Sequence, residues 1–179
     1  YDEFAKKFQA AVEKLKVGNG LDEGTDIGPL IDDRAAAKVK EHIEDAVANG
    51  AQVLTGGKAH QMGGSYFEPT LMVNVPHNAK VAKEETFGPL APLFRFEDEA
   101  EGIALANDTE FGLAAYFYAR DLGRVFRVAE AIESGMIGIN TGMISTEVAP
   151  FGGVKSSGLG REGSKYGMDD YLEIKYLCL

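Results

Sequence analysis

The segment KEETFGPL, Lys83 to Leu90, sets two carboxylates, a hydroxyl and an aromatic ring directly ahead of a Gly-Pro pair. If Glu85 to Phe87 is extended, alternate side chains share a face, so the Glu85 carboxylate and the Phe87 ring point one way while Glu84 and Thr86 point the other. A carboxylate beside an aromatic suits a nucleoside: the acid can accept hydrogen bonds from both hydroxyls of a ribose, and the ring can cover the attached heterocycle. Gly88-Pro89 would then fix the exit of the chain and hold both groups in register. The same residues would also make an acidic surface turn with a partly buried Phe, and spacing alone does not separate the two.

Other candidates carry less. Gly158 to Gly163, GLGREG, has the literal G-x-G-x-x-G spacing. That motif cradles a pyrophosphate only when a strand runs into it and a helix N-terminus leaves it. Here an irregular PFGGVKSS precedes it and an extended segment is expected to follow, so the glycines read as a loop that needs unusual backbone angles. Cys178 lies in an apolar terminal run with no His, Asp or Asn nearby to lower its pKa, and it reads as a small packed thiol. His42, His60 and His77 have no ligand spacing, so no metal site is expected. Asn107-Asp108-Thr109 fits a glycosylation sequon that a cytoplasmic protein would not use.

The elements that must position these groups alternate. Tyr1, Phe4, Ala5, Phe8, Ala11, Val12 and Leu15 recur at helical spacing, and Val39, Ile43, Ala46 and Val47 mark a second helix stopped by Asn49-Gly50. Ala51 to Thr55 reads as a strand, followed by a glycine-rich polar hinge. Tyr66 to Val75 looks extended, although Pro69 argues against a central strand. Leu90 to Phe96 reads as a strand, Ala100 to Ala104 as helix, Leu113 to Ala119 as a strand, Leu122 to Ile132 as a helix capped by Asp121, and Met136 to Asn140 as a buried strand. Helices alternating with short apolar runs predict an α/β layer with a mostly parallel sheet flanked by helices. The pattern breaks from Thr141 to Gly167 into a segment rich in Gly, Ser and Pro. Tyr171 to Leu179, YLEIKYLCL, resumes as a terminal strand, and an unpaired edge of this kind is expected to add to another subunit.

Composition sets the outer limits. A chain of 179 residues, 45% hydrophobic and 26% charged, can bury one core. A formal charge of -10 opposes binding to nucleic acid or to an anionic membrane surface. No apolar run reaches the roughly 18 residues of a spanning helix. The start lacks both the layout of a secretion signal and an initiator Met, which suggests that Tyr1 is not the natural beginning. A single Cys fits a reducing, cytoplasmic setting.

Taken together and in order, KEETFGPLAP, ANDTEFGLAAYFYARD, GMIGINTG and PFGGVKSSGLGREGS resemble the C-terminal part of the NAD(P)-dependent aldehyde dehydrogenase superfamily. NTGMISTEVAPFGGVKSSGLGREGSKYG is most similar to the succinate-semialdehyde dehydrogenases. The resemblance covers essentially the whole chain. It implies that residues 1–167 belong to the catalytic domain with its Gly-rich closing segment, and that residues 168–179 form an oligomerisation strand. Glu85 then matches the glutamate that binds the nicotinamide ribose, Phe87 the aromatic beside the nicotinamide, Phe151 an aromatic lining the aldehyde tunnel, and Ser145 a residue holding the succinate-type carboxylate.

The family attacks the aldehyde with a cysteine thiolate, steadies the oxyanion with an asparagine and a backbone N–H, passes hydride to the nicotinamide and hydrolyses the thioester with water activated by a glutamate. The resemblance places none of those catalytic residues in this sequence, nor the Rossmann domain. The expectation is therefore a fragment, inactive alone, of an enzyme that oxidises succinic semialdehyde with NAD or NADP and assembles as a dimer or tetramer. A related semialdehyde such as glutarate semialdehyde remains an alternative substrate, and a non-catalytic interaction module an alternative function.

Overall fold

Three aspartates decide where helices begin. Asp32, Asp98 and Asp121 stand in extended backbone, and each side chain accepts a hydrogen bond from a first-turn N–H, of Ala35, Glu101 and Arg124 respectively. Such caps occupy donors that a helix start leaves unpaired. The helices they open are α2 (Asp33–Ala48), α3 (Glu99–Asn107) and α4 (Leu122–Ala131), and α1 (Asp2–Val12) precedes them. The computed structural model describes residues 1–179, which divide into two units, Tyr1–Arg95 and Phe96–Leu179. No helix is long and apolar enough to cross a membrane.

The first unit is a three-stranded sheet with helices packed against it. Its strands are β1 (Gln52–Thr55), β2 (Thr70–Val73) and β3 (Leu90–Pro92), in that order across the sheet. From α2, the buried Val39, His42, Ile43 and Ala46 recur at i, i+3, i+4 and i+7, which lays one stripe on the core. Val39, Ile43 and Ala46 join Ala51, Phe67, Met72, Val75 and Ala79 in a single hydrophobic cluster. The N-terminal helix buries only Ala5 and Val12, and Phe4 of its expected apolar face stays exposed. Polar staples hold it instead. The Tyr1 hydroxyl donates to the Leu93 carbonyl at 3.1 Å and accepts from the Asn74 N–H at 2.8 Å, while the Arg95 guanidinium lies over the Tyr1 ring.

In the second unit, β5 (Ala114–Phe117), α4 and β6 (Met136–Ile139) form a βαβ unit with parallel strands, as the alternation predicts. A separate two-stranded ladder pairs β4 (Phe111–Gly112) with β7 (Val154–Lys155). The buried residues here are Gly112, Gly138 and Gly153. Backbones approach each other where a side chain would not fit: a Cβ on Gly135 would collide with the Gly152 carbonyl oxygen.

Several expectations need correction. The sheet is not mostly parallel: β1 runs antiparallel to β2 and β4 to β7, and the strands fall into three sheets. The chain passes Gly56 and Gly57 after β1, antiparallel pairing continues to Ala59 and Phe67, and the reversal between them runs through Gly63 and Gly64, both at positive φ. Strand β2 is central despite Pro69. The proline sits one residue before the ladder, so its missing N–H removes nothing, and Thr70 supplies the first bond, to the Pro89 carbonyl at 2.7 Å. The terminal run, expected to add to another subunit, forms no ladder within this single chain. Tyr166–Tyr171 is a short 3-10 helix and residues 172–179 are unpaired and exposed, because no edge within the chain receives them. Cys178 is consequently an exposed thiol and not a packed one.

Candidate functional site

The KEETFGPL segment lies on the crossover between the parallel strands β2 and β3, after a 3-10 turn at Lys80–Ala82. Its side chains alternate as the stereochemistry requires, and α2 decides which face turns inward. The Thr86 hydroxyl lies 2.6 Å from His42 Nδ1. The Glu84 carboxylate lies 3.3 Å from His42 Nε2 and pairs with the Lys38 ammonium. That pairing, and then the bond to His42, holds the Glu84 carboxyl below the usual glutamate range. His42 itself is completely buried.

Gly88 packs where a Cβ would collide with the Val39 side chain, so the segment can sit on α2 only with glycine at that position. Pro89 then hands its carbonyl to β2 through Thr70. With Glu84, Thr86 and Gly88 turned to α2, Glu85 is left exposed and Phe87 projects with 78% of its surface open. An outward acid and an outward ring separated by one residue fit a ribose with its attached heterocycle; a buried Phe would not.

The other two candidates lie in the second unit. Phe151 is half-buried and held by a reciprocal pair of backbone bonds with Glu162, at 2.9 and 2.7 Å. Arg161 braces the same loop, its Nη1 donating to the Gly153 and Gly160 carbonyls at 2.9 and 2.6 Å. A cavity of about 400 Å³ opens beside Phe151, lined also by Leu113, Ser157, Arg161 and Tyr171. Ser145 is exposed and does not line that cavity. It follows a turn at Asn140, which stands at φ 56. The Asn140 amide grips Ala119 through both its backbone groups, at 2.9 and 2.8 Å.

Sequence reasoning missed His42. Its spacing from His60 and His77 carries no metal-ligand signal. The signal was its register: His42 falls within the apolar stripe of α2, where an imidazole must find polar partners.

Residues 1–177 match the aldehyde dehydrogenase family, and the chain belongs to it. Over all 179 residues it is 72% identical to the NADP(+) succinate-semialdehyde dehydrogenase GabD of Escherichia coli and 74% identical to a glutarate-semialdehyde dehydrogenase of Pseudomonas putida. It spans 37% of the length of each. The crystal structure of an E. coli NADP-dependent enzyme superposes on the whole chain with a TM-score of 0.98 at 72% identity, the chain again covering 37% of it. The fold is that of the aldehyde dehydrogenases, an α/β arrangement of helices and sheets.

Proposed function

We propose that the protein oxidises succinic semialdehyde with NAD or NADP, and that these residues supply cofactor and substrate contacts and not the nucleophile. The observation that carries the reading is identity of 72% and 74% along the entire chain to relatives named for succinate and glutarate semialdehyde. Both compounds join an aldehyde to a distant carboxylate and differ by one methylene, so glutarate semialdehyde is the alternative substrate. NAD(P), when bound, supplies the hydride acceptor.

Glu85 accepts from the hydroxyls of the nicotinamide ribose, and Phe87 covers the nicotinamide. Phe151 shapes the aldehyde channel, and the Ser145 hydroxyl donates to the distal carboxylate. Cys178 is the single thiol and lies exposed in an unpaired terminal run. Residues 1–179 alone are therefore expected to form no NAD(P)H from an aldehyde. The unpaired Leu172, Ile174 and Tyr176 support assembly with further copies through the terminal run.

Substitution in the full-length protein tests the substrate reading. A hydroxyl that donates to a carboxylate contributes roughly 1.5–3 kcal/mol, or about tenfold to hundredfold. Ser145→Ala should lower kcat/KM for succinic semialdehyde by that factor and leave butanal, which has no carboxylate, nearly unchanged. Equal losses for both aldehydes, or none, would remove Ser145 from the carboxylate site. Faster turnover of glutarate than of succinic semialdehyde by the unmodified protein would exchange the two substrates.

A further inference from the structure

The buried histidine of α2 bonds to both neighbours of Glu85. A carboxylate only accepts, so the 3.3 Å contact with Glu84 requires the proton on His42 Nε2. The other ring nitrogen, Nδ1, lies 2.6 Å from the Thr86 hydroxyl, a group that can either donate or accept, so this bond forms whichever way the ring is protonated. The result is a linked set: Lys38 ammonium to Glu84 carboxylate, His42 Nε2–H to the same carboxylate, and a hydrogen bond between the Thr86 hydroxyl and His42 Nδ1. His42 is fully buried and its ring is held in the stripe between Val39 and Ile43, so the imidazole is a fixed reference point. Two bonds from one rigid ring, to the residues immediately before and after Glu85, hold the backbone on both sides of it and fix the direction in which its side chain leaves.

We propose that His42 is a positioning residue for the cofactor-binding segment: by gripping Glu84 and Thr86 it fixes the backbone from which the side chains of Glu85 and Phe87 project outward, towards the ribose and nicotinamide. This rests on the reading of Glu85 and Phe87 as cofactor contacts. His42 touches no cofactor itself. It lowers the ordering cost that the segment would otherwise meet on binding.

The test is a double-mutant cycle on the full-length protein, with NAD(+) and NADP(+) each titrated by calorimetry. Thr86→Val keeps the side-chain shape and removes the hydroxyl. It should weaken binding of the preferred cofactor roughly threefold to tenfold. Thr86→Ser, which restores the hydroxyl, should recover affinity to within about twofold. In a Glu85→Gln background, Thr86→Val should add less than about twofold, because the contact it aims is already impaired.

Since a bare nitrogen in the core can also loosen the fold, hydrogen exchange provides the second readout. Faster exchange confined to residues 84–87 supports positioning, whereas faster exchange along the whole of α2 overturns it. Unchanged affinity in Thr86→Val while Glu85→Gln weakens binding sinks the positioning role alone. So does a full, additive loss in both backgrounds. Wild-type affinity in Glu85→Gln removes the cofactor reading and the inference with it.

Discussion

The two units are held together by different means. In Tyr1–Arg95 the strand β2 is buried at every position, and Val39, Leu71 and Met72 are wholly enclosed. In Phe96–Leu179 every buried position is a glycine, and Tyr118, Leu122 and Phe126 are largely exposed. Side-chain packing lets the first unit make a rigid platform, and the cofactor candidates sit on a segment fastened to it. The second unit gains its shape from backbone lying on backbone, which places Phe151 on a braced loop but leaves wide apolar surface uncovered.

The sharpest way to break this contrast is to truncate one large side chain in each unit. Leu71→Ala removes a fully buried side chain and should cost about 2–5 kcal/mol in chemical denaturation. Phe126→Ala, at a residue 59% exposed, should change stability of these residues by less than about 0.5 kcal/mol. Comparable losses would show that the second unit has a side-chain core after all. Gly135→Ala follows in size. Its methyl would press on the Gly152 carbonyl, and overpacking of this kind costs about 1–3 kcal/mol. Hydrogen exchange should rise first around residues 150–163, and loosening of β2 instead would contradict the backbone-on-backbone account.

The smallest expected effect is electrostatic. Lys80 holds the Glu41 carboxyl below its usual range, and Lys38 with His42 does the same for Glu84. A carboxyl whose folded pKa is depressed stabilises the fold above its unfolded pKa, and loses that contribution as pH falls through the depressed value. Stability of the first unit should therefore decline on acidification through and below the glutamate range. Glu84→Gln should flatten that decline slightly, read as a smaller drop in Tm between neutral and acid pH. A steeper decline in the variant would reverse the sign assigned to Glu84.

Helix positions were legible because their determinants are local. Asp121 capped the helix expected of it, Asn49-Gly50 ended α2, and the Leu113–Asn140 stretch became the expected βαβ unit. The alternation in KEETFGPL was legible too, since side chains on extended backbone must alternate. Which face turned outward was not, because the answer lay on another element: His42 and Val39 of α2 capture Glu84, Thr86 and Gly88.

By itself, then, the sequence determined the helices, the Asp121 cap and, through the order of its motifs, the family. Tertiary structure alone decided that β1 pairs antiparallel with β2 and β4 with β7, that an imidazole in a core stripe anchors the segment around Glu85, and that the terminal run finds no edge within this chain. Ladder direction, buried polar pairing and strand docking all depend on groups distant in sequence meeting in space, and periodicity along the chain carries no record of those meetings.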